Sequence, residues 1–326
     1  MKAIITGGAG FIGSHLVERL GKLNWDITII DNLTTGRIEN IANLNTNYKF
    51  INADISYKDE SWTEELKQAD YVFHLASLAD IVPSIEKPLE YYESNVTGTI
   101  NVLSECEPKR LKKFVYAASS SCYGITNVIP TPEDAPIQTE YPYALTKYLG
   151  EQITMHWGKV YGMKVVSTRF FNVYGTRSRT SGTYGAVFGV FLAQRLANKP
   201  LTIVGDGTQK RDFTYVTDVA KGIYQAAVSN YENEIFNLGS GKAESINKLA
   251  DLIGGDRTYI PKRPGEPEIT HSDISKAKEL LNYEPVVSFE EGVKLVLENM
   301  EYWRDAPVWT PETINQATRT WFDSLQ

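Results

Sequence analysis

The chain has 326 residues, enough for two domains or for one large core with a smaller lobe. Hydrophobic residues at 42% and charged residues at 22% are the balance of an ordinary globular protein, which excludes a disordered or fibrous chain. Lys+Arg 33 against Asp+Glu 40 leaves a formal net charge of −7, a field that disfavours nucleic acid and anionic membrane surfaces as partners. Along the chain, short β-branched runs alternate with helical patterns: AIIT (3–6), DITII (26–30), YKFIN (48–52), YVFHLA (71–76) and KFVYAAS (113–119). This alternation predicts an α/β fold with right-handed βαβ crossovers and a doubly wound parallel sheet. The cluster Lys109, Arg110, Lys112 and Lys113 falls between a helix and a strand and reads as a solvated helix end. A long helical pattern from Ala144 to Tyr161 leads into a further strand, VVSTRFF (165–171).

From Asn172 the character changes. GTRSRTSGTYG (175–185), LTIVGDG (201–207) and KRPGEPE (262–268) read as loops of a smaller lobe facing a ligand. The pattern re-enters the first domain around 212–240, so the expected boundary is interleaved: 1–171 for the first domain, 172–326 mainly for the lobe. Only Cys106 and Cys122 are present, both in apolar segments, which suits structural thiols in a reducing cytoplasm. No apolar run approaches the roughly 18 residues of a membrane span. MKAIITGGAG also lacks the apolar stretch of a signal peptide.

TGGAGFIG opens a helix directly after the first strand. Gly8, Gly10 and Gly13 fit G-x-G-x-x-G, and Gly7 supplies an overlapping G-x-x-G-x-x-G. Glycines there permit a tight turn and close backbone approach, so a pyrophosphate can sit on the amides of the helix N-terminus. Asp31, ending the second strand, is placed to accept hydrogen bonds from an adenosine ribose and to repel a ribose phosphate. The expected cofactor is therefore NAD rather than NADP, in a Rossmann-type domain spanning 1–171. Asp54 is either an adenine contact or an ordinary strand-end aspartate.

Tyr143 and Lys147 form Tyr-x-x-x-Lys in YPYALTKYLGEQ, one helical turn apart and on one face. A phenol with a pKa near 10 is a poor base at neutral pH, and an adjacent ammonium lowers it. The pair can then take a proton from a substrate hydroxyl while hydride leaves the same carbon. Ser119 begins the run Ser119-Ser120-Ser121 at the end of a parallel strand, where such folds bind ligands, and can relay or orient that proton. Ordinary turn chemistry is the alternative for all three serines, and more so for Ser120 and Ser121 than for Ser119.

GGAGFIG, HLAS (74–77), NVTGT (95–99), SSSCYG (119–124), YALTK (143–147), RFFNVYG (169–175), GDGTQKRDFTYVTDVA (205–220) and RPGEP (263–267) resemble the extended short-chain dehydrogenase/reductase family, in family order over nearly the whole chain. Within it the motifs are similar to those of 4-epimerases acting on UDP-glucose, UDP-N-acetylglucosamine and UDP-glucuronate. The resemblance implies NAD-dependent epimerisation of a nucleotide sugar through a transient 4-keto sugar, with Tyr143 as base, Lys147 holding the nicotinamide ribose and Ser119 bridging tyrosine and substrate. It extends the cofactor set to Phe11, Ile12, Asn32, Ile55, Leu75 and Ala76. For the substrate it implies Ser84, Ser120, Ser121, Asn172, Arg179, Arg211 and Arg263, with the arginines suited to phosphate oxygens. No metal is implied. A homodimer through 95–105 and 144–161 is expected from related enzymes, with Leu149, Ile153 and Trp157 at helical spacing.

Departures from relatives narrow the reaction. Similar 4,6-dehydratases carry Asp and Glu in the two positions after the serine, where this chain has Ser120 and Ser121, neither able to act as an acid at neutral pH. A lysine that many epimerases use for cofactor phosphates is replaced by Ala79. A 4,6-dehydratase or 4-keto-sugar reductase, and more remotely a non-catalytic NAD-binding regulator, are the alternatives. Thr270 falls where glucose-restricted relatives carry a bulky Tyr against the sugar C2 substituent, leaving room for an N-acetyl group. Arg177, Arg179 or Thr180 would instead receive a C6 carboxylate, unless those arginines are solvated loop residues.

Overall fold

The computed structural model describes residues 1–178 and 186–325. Seven strands form the central sheet: β1 (Lys2–Thr6), β2 (Asp26–Asp31), β3 (Lys49–Asn52), β4 (Tyr71–His74), β5 (Lys113–Ser119), β6 (Val165–Phe170) and β7 (Glu234–Leu238). Every pairing is parallel, in the spatial order β7-β6-β5-β4-β1-β2-β3. Strands buried on both faces read as continuous apolar runs, which is why AIIT and DITII show no clean alternation. The chain winds outward from β1 to β3 and then returns to β4 on the other side of β1. That reversal opens a crevice beyond the carboxyl ends of β1 and β4.

Both faces of the sheet are covered. On one, helix α1 (Phe11–Lys22) and the helix Val216–Val228 place Leu16, Val17, Leu20, Val219 and Ile223 over Ile5, Phe73 and Phe236. On the other, Trp62, Leu66, Val102 and Leu103 cover Ile4, Val72, Phe114 and Tyr116. Each such aliphatic side chain contributes about 1.5–3 kcal/mol on burial. A third core, rich in aromatics, holds Tyr174, Phe188, Phe213, Phe289 and Trp303 together in the lobe. Two-residue ladders join Val173–Tyr174 to Thr214–Tyr215 and Lys210–Arg211 to Glu244–Ser245, while Leu201–Val204 pairs with Arg257–Ile260. Because β7 follows several lobe segments in sequence yet pairs with β6 in the sheet, sheet and lobe interleave along the chain.

One basic residue departs from expectation. Lys113 is buried at the start of β5, its ammonium held by the carbonyls of Ser229 and Tyr231, so it anchors the strand instead of meeting solvent. Both cysteines are free and buried, and burial pushes the Cys122 thiol up to about 12. Among the described residues no helix is long and apolar enough to cross a membrane, and no cluster of His, Cys, Asp and Glu could hold a metal ion.

Candidate active site

A cavity of about 720 Å³ occupies the crevice between sheet and lobe. One end is built on the turn after β1. Gly7 lies at φ +71, and a Cβ there would meet the Ala76 amide nitrogen at 2.6 Å, so the β1 and β4 ends meet backbone to backbone. A Cβ on Gly13 would lie 2.1 Å from the Gly7 carbonyl oxygen. Gly10 is the N-cap of α1 and has no side chain to bond the first amides of the helix, which therefore face the cavity with Phe11 and Ile12. This cradle fits a dinucleotide pyrophosphate.

Asp31 lines the same end and accepts from the Ala9 amide at 3.0 Å and the Leu33 amide at 2.9 Å. Burial raises its pKa, with those two amides pulling the other way. A carboxylate has about four acceptor positions, so capacity remains for a ribose diol. Asn32 donates to Asp54 at 3.0 Å, and both line the cavity with Ile55, Leu75 and Ala76. Asp54 is held below its usual pKa because Ser56 and Asn32 outweigh the cost of burial. These residues fit the adenosine half of NAD.

The opposite wall holds Ser119, Tyr143 and Lys147. Helix α2 (Pro142–Tyr161) starts with proline in its first turn and ends at Gly162 in the left-handed conformation. Gly150 lets α2 close onto β5: a Cβ there would lie 2.2 Å from the Tyr116 hydroxyl, which donates to the Lys147 carbonyl at 3.1 Å. Farther along, Arg169 makes two bonds to Glu151, at 2.6 and 2.9 Å, and Ser167 adds a third at 2.8 Å. This buried pairing clamps α2 to β6 and fixes where Tyr143 and Lys147 point.

The Tyr143 hydroxyl lies 3.2 Å from Ser119 Oγ. Ser119 caps the turn after β5, accepting from the Ser121 amide at 3.2 Å and the Ser121 hydroxyl at 2.9 Å. With its lone pairs engaged, the Ser119 O–H is the donor left for a phenolate. Lys147 is 4% exposed, with Nζ 4.7 Å from the Tyr116 ring centroid. The expected lowering of the Tyr143 pKa by lysine is not what the structure shows. Burial raises it, hydrogen bonds from Ser119 and Ser121 pull it down, and Asp80 pushes it up. Burial likewise pushes Lys147 down to about 7, against Glu151. Exclusion of water penalises phenolate and ammonium alike.

At the other end, Asn172, Arg211, Arg263 and Thr270 line the cavity with Ser120 and Ser121. Thr270 donates to the Asn172 side-chain carbonyl at 2.7 Å. Arg211 pairs with Glu266 at 2.8 Å, and Arg263 lies 3.9 Å from the same carboxylate. Ser84 is a correction: it is fully buried, with its hydroxyl bonded to the Ile81 carbonyl, and does not line the cavity. Arg177 is another, because its guanidinium is engaged by Glu18, His15 and the Asn40 carbonyl, away from the central cavity. Arg179 and Thr180 lie outside the described residues.

Four groups escaped the reading of the sequence. Glu151 stands one turn past Lys147, a spacing that was available as a signal. Glu266 sat inside RPGEP without a role. Nothing local marked Tyr141 or Trp321, both of which line the cavity.

A family described as "NAD dependent epimerase/dehydratase family" matches residues 3–239. The Methanocaldococcus jannaschii protein named "Putative UDP-glucose 4-epimerase" is 40% identical over 305 residues, 91% of this chain and 98% of that one. UDP-N-acetylglucosamine 4-epimerase from Methanobrevibacter ruminantium, solved with UDP-N-acetylmuramic acid, superposes with a TM-score of 0.85 at 34% identity, covering 91% of this chain and 98% of its own. UDP-glucuronic acid 4-epimerase from Bacillus cereus, solved with UDP-glucuronic acid and NAD, gives 0.85 at 33% identity, covering 93% and 99%.

Proposed function

The chain belongs to the NAD-dependent epimerase/dehydratase family, and from that membership we propose that it is a 4-epimerase of a UDP-linked hexose. NAD is its cofactor and, when bound, supplies a hydride acceptor that returns the hydride. The chain's own residues do the rest. Tyr143 as phenolate takes the proton from the sugar 4-hydroxyl and gives it back, Ser119 stabilises the phenolate, and Lys147 supplies the compensating charge. Arg211 and Arg263 hold the diphosphate.

The observation that carries this reading is the contact at 3.2 Å between Tyr143 and Ser119, followed by Ser120 and Ser121. No carboxylic acid follows Ser119 to drive loss of water, which favours epimerisation over 4,6-dehydration. The test is incubation with UDP-glucose, UDP-N-acetylglucosamine and UDP-glucuronate with no cofactor added, read by NMR. Turnover to the 4-epimer supports the reading; a 4-keto product, or activity wholly dependent on added NADPH, overturns it. The protein should also release NAD(H) only on denaturation. The domain from 1 to 171, with the re-entry at 212–240, is assigned to the cofactor and the remainder to the substrate.

Besides plain glucose, the pocket is proposed to accept a C2 N-acetyl group, for which the small Thr270 leaves room, or a C6 carboxylate, for which Arg179 and Thr180 stay the candidate receivers once Arg177 is engaged by Glu18. We also assign a homodimer to segments 95–105 and 144–161; Leu149, Ile153 and Trp157 are half-buried there, the last two against the core, and Ile100, Val160 and Tyr161 are the exposed apolar groups. Light scattering at micromolar concentration that shows only monomer would refute it.

A further inference from the structure

The last described helix, Arg319–Ser324, has six residues, too few to hold its shape alone, yet it is fastened across the substrate end of the cavity. On one side the Thr320 hydroxyl donates to Glu86 at 3.1 Å, and Glu86 ends the helix Ile81–Glu86, whose Ile81 and Val82 line the cavity. On the other side Trp321 reaches the loop of RPGEP. Its indole N–H donates to the Pro264 carbonyl at 2.8 Å, and its ring lies 5.5 Å from the Arg263 guanidinium carbon. Leu325 continues that contact: a Cβ on Gly265 would come within 3.6 Å of its side chain.

Trp321 also lies 6.4 Å from the Tyr141 ring, and Tyr141 stacks at 6.3 Å and 9° on Tyr143. A single side chain from the end of the chain thus touches the arginine assigned to the diphosphate and the neighbour of the proposed base. Trp321 is 6% exposed, so its π-face meets Arg263 largely without water, where cation–π attraction is strongest. The N–H bond to Pro264 sets the ring orientation and the position of the loop at once.

We propose that Trp321 is a positioning residue of the substrate site, holding Arg263 and the Pro264–Gly265 loop in the geometry that receives the diphosphate of the nucleotide sugar. The proposal rests on the diphosphate role given to Arg263 above. It assigns the segment Arg319–Leu325 to the wall of the substrate site and predicts that its contribution appears in nucleotide affinity and leaves cofactor retention alone. A side chain that merely plugged the core would change stability without separating these readouts.

The test compares Trp321→Leu, which stays apolar but loses both the π-face and the N–H, with Trp321→Phe, which keeps a π-face and loses the N–H. Kd for UDP is measured by calorimetry on the NAD-loaded protein, beside KM and kcat for the UDP-sugar. Trp321→Leu is expected to weaken UDP about tenfold and to raise KM by a similar factor, the loss of a desolvated cation–π contact. Trp321→Phe should retain most of the affinity, and NAD content and kcat at saturation should stay near wild type in both. A Leu variant that binds UDP as tightly as wild type overturns the proposal, as does equal weakening in both variants accompanied by loss of NAD. If the Leu variant does not fold, hydrogen exchange on the wild type decides. UDP should slow exchange across 319–325 and 263–265, and unchanged exchange overturns the proposal. A wild type that turns over UDP-sugars but shows neither effect removes this inference alone. A wild type that binds no UDP removes the Arg263 reading and this one with it.

Discussion

The two ends of the central cavity are made by different means. The end proposed for the cofactor is a matter of backbone: Gly7, Gly10 and Gly13 within one turn, the start of α1, and a carboxylate on Asp31 tied to the Ala9 and Leu33 amides. The end proposed for the substrate is a matter of side chains, and they come from Ser119, Asn172, Arg211, Arg263, Thr270 and Trp321, far apart in sequence. A backbone cradle depends on a few positions that admit only glycine. A side-chain wall can be altered one residue at a time, so selectivity should move at the substrate end without loss of the cofactor.

The largest separation of the two ends is expected from Tyr143→Phe. It deletes the oxygen 3.2 Å from Ser119 and leaves the ring stacked on Tyr141. Turnover should fall about 10²- to 10⁴-fold, the usual cost of losing a general base. NAD content after gel filtration should match wild type. Turnover near the wild-type rate would show that the proton is taken elsewhere.

A smaller and more selective effect is expected from Thr270→Tyr. The added ring would fill the space beside Asn172, to which Thr270 is bonded at 2.7 Å. A single methylene is worth roughly 10- to 200-fold in kcat/KM, and an N-acetyl group is larger. The loss should fall on an N-acetylated UDP-sugar and largely spare UDP-glucose; equal loss on both substrates would place the C2 substituent somewhere else.

Gly13→Ala strikes the other end. Its Cβ would lie 2.1 Å from the Gly7 carbonyl oxygen, and neither atom can yield without moving the turn. Overpacking of this kind costs about 1–3 kcal/mol. The variant should purify with less NAD and a lower Tm, whereas UDP affinity at the far end should be nearly unchanged. Full NAD occupancy would mean that the turn is more yielding than its contacts indicate.

The same division explains what could be read from the sequence. The Rossmann sheet was legible because β1, the glycine turn, α1 and Asp31 lie within about thirty residues and each has a local pattern. Tyr143 and Lys147 were legible because one helical turn makes their spacing a statement about geometry. Ser84 was misread because a serine in a helix bonds a carbonyl three residues back as readily as a ligand, and only packing decides between them. Arg177 was misread as a possible carboxylate receiver because its partners Glu18 and His15 lie on α1, some 160 residues earlier. Trp321 had no local pattern at all: its role depends on where a six-residue helix docks, which is a property of the tertiary structure.

The smallest expected effect is acid sensitivity lodged in the cofactor half. His74 is 1% exposed beneath the β1 and β4 ends, its ring bonded to the Thr6 hydroxyl at 2.7 Å and the Thr99 hydroxyl at 2.9 Å. Burial and then the Lys147 charge push it down to about 3, while burial and Arg177 push His15 on α1 down to about 4. A free histidine titrates near 6.5, so below that pH the unfolded chain takes up protons that the folded protein refuses. The histidine contribution to stability is therefore full above 6.5 and declines as pH falls toward 4 and 3, by at most about 1.4 kcal/mol per pH unit for each histidine. Lys147 does not contribute in this window, because with a folded value of about 7 it is charged in both states below that pH. Replacing His74 with Asn should lower stability at pH 7, where hydrogen bonds to Thr6 and Thr99 are disturbed. It should also flatten the decline between pH 6.5 and 4.5 by up to one histidine's share. Urea unfolding of the NAD-loaded protein across that range measures both quantities. A variant whose stability falls with the wild-type slope would show that His74 does not carry the acid response.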